Sequence, residues 1–396
     1  MVGGRERKLA GAGGGRAAER PAPGGARRRN FAYPLLLSEV SEAAARPTLL
    51  IQTAFIGDVI LATALVEYLA RHEPGRPLDV LVRRGNEGLL HGNPHIRRVL
   101  VWDKKQRKYA GLWGLVRQIR AAQYGRVVTL QRFASTGLLT AFSGAPERVG
   151  FTQNPFSRFF TRRVPHVIGD GTHEVARNLR LLNEELEMKN EELLTNGGRG
   201  NSSFFIPNSS LIKPRLYPTP ADEAAAAPYA AHGPYICLAP TSVWFTKQYP
   251  EGKWQELLDS LPPGQRVYLL GGPPDVAACA RLAAGSGRPA EVVSLAGQLS
   301  LLASAALMRG AEMNYVNDSA PLHLCSAVDA PVTAVFCSTV PAFGFGPLGS
   351  RAFVVETPEP LACRPCGLHG HGACPLGHFR CAYGIRVGQL LAPLGG

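Results

Sequence analysis

No apolar run reaches the ~18 residues of a membrane-spanning helix without a charge, proline or glycine breaking it, so no transmembrane helix is expected. The first residues are rich in arginine and glycine but lack the apolar stretch of a secretory signal. Both absences point to the cytoplasm, or to the cytoplasmic face of a membrane. Neither half opens its first strand onto a G-x-G-x-x-G, and no G-x-x-x-x-G-K-[ST] occurs, so dinucleotide-fingerprint and P-loop chemistry lose their main support. Acidic residues are also scarce, 30 against 43 Lys and Arg, for a net charge of +13.

What is present is length and an uneven charge. At 396 residues and 45% hydrophobic content, the chain can bury two cores. Residues 1–47 carry nine basic and four acidic side chains, residues 48–187 carry 20 and 12, and residues 188–396 carry 14 of each. The excess lies in the N-terminal half. It implies an acidic partner there (phosphorylated lipid, a membrane surface or nucleic acid) unless it only keeps the chain solvated. Residues 1–30 hold almost no large apolar side chain and cannot offset the entropy of ordering, so residues 1–47 read as a disordered basic extension.

From residue 48 the pattern is α/β. Strand-like runs at 48–53, 78–82, 98–102 and 126–130 alternate with helical periodicity at 59–72, 85–90, 111–123 and 135–142. Residues 151–163 read as a basic, aromatic loop and 173–187 as a helix. Residues 188–231 read as a linker or insertion. The alternation then restarts, with strands at 234–239, 266–270, 291–294, 313–316 and 332–337. Two α/β units, 48–187 and 232–396, suggest two Rossmann-like parallel sheets facing across a cleft.

Three turns would face that cleft. The first is Phe55-Ile56-Gly57-Asp58, between a strand and a helix. Gly57 permits the tight turn, and Asp58 falls where a helix cap belongs, so its carboxylate is either a cap or a catalyst. The second contains Thr241, Ser242 and Lys247. Two hydroxyls and an ammonium suit a diphosphate, although a solvated polar loop would look the same. The third is Asn317-Asp318-Ser319-Ala320-Pro321-Leu322-His323. Asp318 or Ser319 can cap the following helix, whose first turn offers N–H groups to an anion. His323 lies in that turn, either as a phosphate contact or as a core histidine.

Together and in this order, the three turns resemble glycosyltransferase family 9, the heptosyltransferases of lipopolysaccharide core synthesis. The likeness covers roughly residues 48–180 and 233–385, with Ala320 standing where the family usually has glycine. The resemblance implies a GT-B fold, with the acceptor on the N-terminal domain and the nucleotide sugar on the C-terminal one. It implies inverting transfer of heptose from ADP-heptose to a phosphorylated lipid A/core oligosaccharide, at the cytoplasmic face of the inner membrane. Asp58 would take the acceptor proton during attack. Lys247, Thr241, Ser242 and the amides of residues 319–322 would stabilise the departing diphosphate, with Asp318, Ser319, Ala320 and His323 also at the donor. Asp275, after Gly271 and Gly272, is a candidate ribose contact by position. The chain has no Asp-x-Asp, which agrees with a metal-independent route requiring no cofactor. Nucleic-acid binding would explain the charge but none of the three turns. The alternatives are another nucleotide-sugar donor, an epimerase-like enzyme of similar fold, or a sugar-nucleotide-binding protein without catalysis.

The last 35 residues add Cys363-x2-Cys366-x7-Cys374-x6-Cys381, interleaved with His369, His371 and His378. The C-x-x-C start allows a structural zinc, but the second pair lacks that spacing, which favours reduced thiols in a stapling loop.

Overall fold

The computed structural model describes residues 46–104, 108–183 and 212–394. The extension up to residue 45 and the segment 184–211 lie outside the described residues.

The apolar runs form two sheets. The first contains β1 (Thr48–Ile51), β2 (Leu78–Arg83), β3 (Arg98–Trp102), β4 (Arg126–Thr129), β5 (Glu147–Phe151) and β6 (Arg162–Val164). The second contains β7 (Tyr235–Ala239), β8 (Arg266–Leu269), β9 (Val292–Ser294), β10 (Met313–Asn317), β11 (Val332–Phe336) and β12 (Ala352–Glu356). Their orders are β3-β2-β1-β4-β5-β6 and β12-β11-β10-β7-β8-β9, and all neighbouring strands are parallel. This is one doubly wound topology used twice. Each sheet begins at its middle and reverses direction once, at β1/β4 and at β7/β10. Ligands of such sheets bind outside the carboxyl ends of the strands at that reversal.

The helices are α1 (Ile56–His72), α2 (Lys108–Ala121), α3 (Ala134–Ala141), α4 (Glu174–Leu179), α5 (Pro220–Ala230), α6 (Glu251–Ser260), α7 (Val276–Gly285), α8 (Leu301–Gly310), α9 (Ala320–Ala327), α10 (Arg380–Tyr383) and α11 (Val387–Leu391). Helix α1 is buried nearly all round, from Val59 to Leu69, because it packs on the first sheet and also on α4 and α9. One apolar cluster therefore runs from Leu50 and Ile60 through to Val316 and Leu322. Residues 212–217 run alongside. The amide of Arg215 donates to Thr63 Oγ1 (2.9 Å), the Tyr217 hydroxyl to Glu67 Oε1 (2.7 Å) and the Leu216 amide to the Ala327 carbonyl (3.1 Å).

Four expectations are corrected. Residues 151–163 are not wholly loop, since they end β5 and begin β6. The second of these is a three-residue edge strand whose Arg162 and Arg163 hid it from an apolar pattern. Residues 85–90 supply only the 3-10 turn Glu87–Leu90, too short to propagate as a helix. The helix expected at 173–187 stops at Leu179. The expected linker 188–231 ends in a real helix, α5, which packs on α8. Composition concealed it because its apolar content is mostly alanine, with Pro228 inside. Its start is well specified. Thr219 Oγ1 accepts the Asp222 amide (3.3 Å) and Asp222 Oδ2 accepts the Thr219 amide (3.0 Å), the reciprocal pattern of a capping box. Asp222 Oδ1 also accepts from Ser300 Oγ (2.7 Å), the residue that caps α8.

Thr219→Ala removes the cap and should lower stability by about 1 kcal/mol. The check is a urea midpoint that falls while the slope stays constant. A midpoint within error of wild type would contradict the capping role.

Candidate active site

Gly57 and Asp58 sit immediately after β1, in the first turn of α1. Asp58 is the third helical residue rather than the cap. Its Oδ2 accepts the N–H of Phe55, the residue at the cap position (3.1 Å). This leaves the carboxylate half-buried at the mouth of the first sheet. Burial pushes its pKa from 3.8 up to about 6. The Glu174 carboxylate adds to the rise, while the Phe55 amide and Arg83 oppose it. An aspartate of ordinary pKa is a weak base towards a hydroxyl, and one near 6 is a better match.

The second sheet supplies the facing wall. Lys247 ends a short 3-10 turn after β7 and pairs with Asp318 Oδ2 (2.7 Å). Asp318 follows β10 and is buried, and its Oδ2 also accepts from Thr339 Oγ1 (2.6 Å). It does not cap α9. Ser319 occupies the cap position, without a capping side-chain bond. Pro321 has no N–H and the Leu322 amide bonds Ser319 O (3.1 Å). The amides of Ser319 and Ala320 have no backbone partner among the described residues. The expected four-residue stretch of donor amides thus narrows to two. Thr241 and Ser242 are half-buried, with their carbonyls held by Asn317 Nδ2 (3.3 Å) and Gln248 Nε2 (2.7 Å).

His323 joins the two walls. A Cβ built on Gly57 would lie 2.7 Å from its Cδ2, so the ring packs directly against the first turn of α1. It is buried, with Nδ1 unpartnered. Burial pulls its pKa down to about 4; Asp318 opposes the fall, and His173 and Lys247 add to it. The ring is neutral at physiological pH. Gly57, Asp58, His323, Asp318 and Lys247 therefore form one constellation. Asp275 is not joined to it by any hydrogen bond or ion pair among the described residues. Its Oδ2 accepts the Gly272 amide (2.8 Å) and closes its own turn after β8.

A polar cluster that sequence reasoning missed underlies the first wall. Arg177 is fully buried in α4. Its guanidinium reaches Glu174 Oε2 (2.8 Å), Thr172 O and Phe343 O (2.7 Å). Burial works against ionisation of Glu174, but His166 and Arg177 hold its pKa below the ordinary carboxylate value. His173 accepts the Val175 amide at Nδ1 (3.2 Å) and donates from Nε2 to Gly346 O (3.0 Å), so it is a neutral tautomer. Burial takes its pKa down to about 4. Gly344 fits only as glycine, with φ of 94° and a would-be Cβ 2.3 Å from Thr172 O. The signal available in the sequence was an i, i+3 Glu–Arg pair beside two histidines.

The cysteine loop crosses the second wall. The Thr246 amide donates to His371 O (3.1 Å) and the His371 amide to Thr246 Oγ1 (2.7 Å). A Cβ on Gly370 would meet Lys247 Cγ at 3.0 Å. Cys363, Cys366, Cys374 and Cys381 are free thiols. At Cys374 burial opposes ionisation, but four backbone amides, those of residues 376–379, prevail and hold the thiol below its ordinary pKa. Among the described residues no three His, Cys, Asp or Glu side chains are grouped to hold a metal ion.

Comparison with known proteins fits this geometry. The profile of glycosyltransferase family 9 (heptosyltransferase) matches residues 112–367. The chain belongs to this family. It is a glycosyltransferase of α/β fold. It is 27% identical over 335 residues to lipopolysaccharide heptosyltransferase 1 of Pseudomonas aeruginosa, covering 80% of this chain and 85% of that protein. Among solved structures, the Escherichia coli ADP-heptose lps heptosyltransferase II superposes with a TM-score of 0.69 at 20% identity, over 88% of this chain and 97% of that one. A family 9 glycosyltransferase from Veillonella parvula gives 0.72 at 21% identity, over 89% and 96%. No helix among the described residues of this family member is long and apolar enough to cross a membrane.

Two outcomes follow from the geometry. Gly57→Ala drives a methyl into His323 and should cost about 1–3 kcal/mol, read as a lowered denaturation midpoint. An unchanged midpoint would mean that the ring is free to move aside. For Asp58, a folded pKa near 6 against 3.8 unfolded means that the fold loses stability as pH rises across that interval. Asp58→Asn escapes the loss. Its melting temperature relative to wild type should climb between those two pH values and level off above them. A difference independent of pH would refute the shift.

Proposed function

We propose that this enzyme transfers heptose from ADP-heptose to a phosphorylated inner-core acceptor of lipopolysaccharide, with inversion and without a metal ion. The observation that carries the reading is the placement of Asp58 at the first sheet's reversal point opposite Lys247–Asp318 and the α9 amides at the second. The names of the relatives, a lipopolysaccharide heptosyltransferase and an ADP-heptose heptosyltransferase, favour the donor and the acceptor class. Donor binding falls to the half formed by residues 232–396, and acceptor binding to residues 48–187.

The acceptor hydroxyl sits against Asp58. As its oxygen attacks the anomeric carbon from one face, the bond to the diphosphate breaks on the other, and Asp58 takes the hydroxyl proton. ADP leaves with growing negative charge. Lys247, fixed by Asp318, the hydroxyls of Thr241 and Ser242, and the free amides of Ser319 and Ala320 meet that charge. His323, uncharged, orients the donor as a hydrogen-bonding group. Arg83 and Arg132 stand on the acceptor side. Arg83 acts on Asp58, and Arg132 acts on His369 across the mouth. They suit an anionic acceptor. On this reading the enzyme works at the cytoplasmic face of the inner membrane.

The deciding experiment is transfer from a panel of nucleotide sugars to delipidated core acceptors. ADP-heptose should be the preferred donor, and EDTA should leave the rate unchanged. Asp58→Asn should lower kcat by about 10²–10⁴-fold, and wild-type kcat/KM should rise with pH to a plateau above about 6. Undiminished transfer by Asp58→Asn would remove Asp58 as the base. Conversion of a nucleotide sugar without any acceptor would favour the epimerase-like alternative. Lys247→Ala should raise the donor KM and lower kcat together. A normal donor KM would take Lys247 off the diphosphate.

A further inference from the structure

The first half carries a second surface that the transfer chemistry does not use. Trp113 on α2 is 49% exposed, Phe142 after α3 is 40% exposed and Phe159 is 42% exposed. Their rings, with the partly buried Phe156, form one cluster. Phe142 lies 6.2 Å from Trp113, 6.5 Å from Phe156 and 6.4 Å from Phe159, centroid to centroid. Large side chains that gather yet stay open to water mark a surface built to be covered.

Guanidinium groups stand beside these rings. Arg158 lies 4.7 Å over the Phe159 ring. The Arg120 side chain reaches the Phe142 carbonyl (3.5 Å). Arg117 is exposed one helical turn beyond Trp113. Among the described residues no carboxylate pairs with Arg117, Arg120 or Arg158. Residues 104–169 contain 12 Lys and Arg and a single acid, Glu147. That acid already faces Arg126 (3.8 Å). The patch also continues towards the catalytic mouth. Asn154 donates to the Phe133 carbonyl (3.1 Å) and accepts the Phe156 amide (2.9 Å), which ties this cluster to Phe133 and its neighbour Arg132.

We propose that this aromatic face with its arginine rim is the surface by which the enzyme seats itself on an anionic lipid bilayer. Indole and phenyl rings settle at the headgroup boundary, where apolar bodies are buried and polar edges stay wet. Arginines at the rim meet lipid phosphates. The centre of a protein–protein interface is depleted of charge, whereas here Arg158 lies over Phe159, and Arg117 and Arg120 stand on the same helix as Trp113. The rings tilt against one another by 34–70° and offer no row of parallel faces for stacked bases, which argues against single-stranded nucleic acid. Seating in this orientation turns Phe133, Arg132 and the Asp58 mouth towards the membrane. The role this gives the surface in presenting a lipid-linked acceptor rests on the function proposed above, but membrane binding itself does not.

The test is co-sedimentation of the full chain with phosphatidylcholine vesicles, with and without about one-third phosphatidylglycerol. Wild type should bind the anionic vesicles at least tenfold more tightly. Vesicles with brominated acyl chains should quench tryptophan fluorescence, and Trp113→Phe should abolish most of the quenching while still sedimenting. The double variants Arg117→Glu/Arg158→Glu and Trp113→Ser/Phe159→Ser should each weaken vesicle binding about tenfold or more, with transfer to a delipidated acceptor within twofold of wild type. Equal binding to neutral and anionic vesicles would overturn the proposal, as would double variants that sediment like wild type. So would variant-sensitive binding to nucleic acid with none to vesicles. If vesicle binding behaves as stated and no sugar is transferred, only the proposed function fails.

Discussion

The contact between the His323 ring and Gly57 is the constraint on which the site depends. It joins the start of α1, on one sheet, to the first turn of α9, on the other. Any β-carbon at residue 57 would open that contact. Because both helices begin at a sheet reversal point, this van der Waals contact helps to set the separation between Asp58 and the Lys247–Asp318 pair. The near-complete burial of α1 follows from the same arrangement. A helix that carries Asp58 at its start, and is packed on three sides, has little freedom to tilt.

Electrostatics reinforces that geometry in an unequal way. The first wall rests on a buried ion pair, Glu174–Arg177, whose remaining hydrogen bonds are taken by carbonyls of residues 172 and 343. Such a pair adds little net stability over an apolar one, but it is costly to break, so it specifies one arrangement of the loop that holds Gly344 and Gly346. The Glu174 carboxylate also keeps negative charge near Asp58, which raises its proton affinity. Both histidines at the junction are neutral. The charged groups at the junction are thus Asp58, backed by Glu174–Arg177, on one side, and the Lys247–Asp318 pair on the other.

Much of the fold was legible in the sequence because buried parallel strands carry unbroken apolar runs. The runs at 48–53, 78–82 and 313–316 marked central strands to within two residues. Edge strands β6 and β12 were not legible. A strand covered on one side only can carry arginines or half-exposed valines, and its pattern then resembles a loop. The candidate turns stood out where a turn must contain special residues, as at Gly57, Asp58 and Lys247, and the structure sets Gly57 against His323 and Lys247 against Asp318. Roles were illegible where they depend on contacts far apart in the chain. Asp318 looked like a helix cap but is an ion-pair partner, and nothing local to Arg177 or Thr339 links them to Asp58 or Asp318. Asp275 had the right kind of position after a strand, yet its carboxylate serves its own turn.

The loop of residues 363–378 has a consequence for the order of synthesis. Thr246 and the stem of Lys247 are held by His371 and Gly370, residues made 125 positions later than Thr246. The first wall likewise waits for residues 343–346 to receive His173 and Arg177. Domains fold as they emerge from the ribosome, N-terminal part first. Here the half that emerges first can form its sheet early, but both walls of the candidate site are finished only by segments translated later. A chain that stops short of residue 363 lacks the backbone that holds Thr246 and the Lys247 stem, so the turn after β7 takes its final form only late in synthesis.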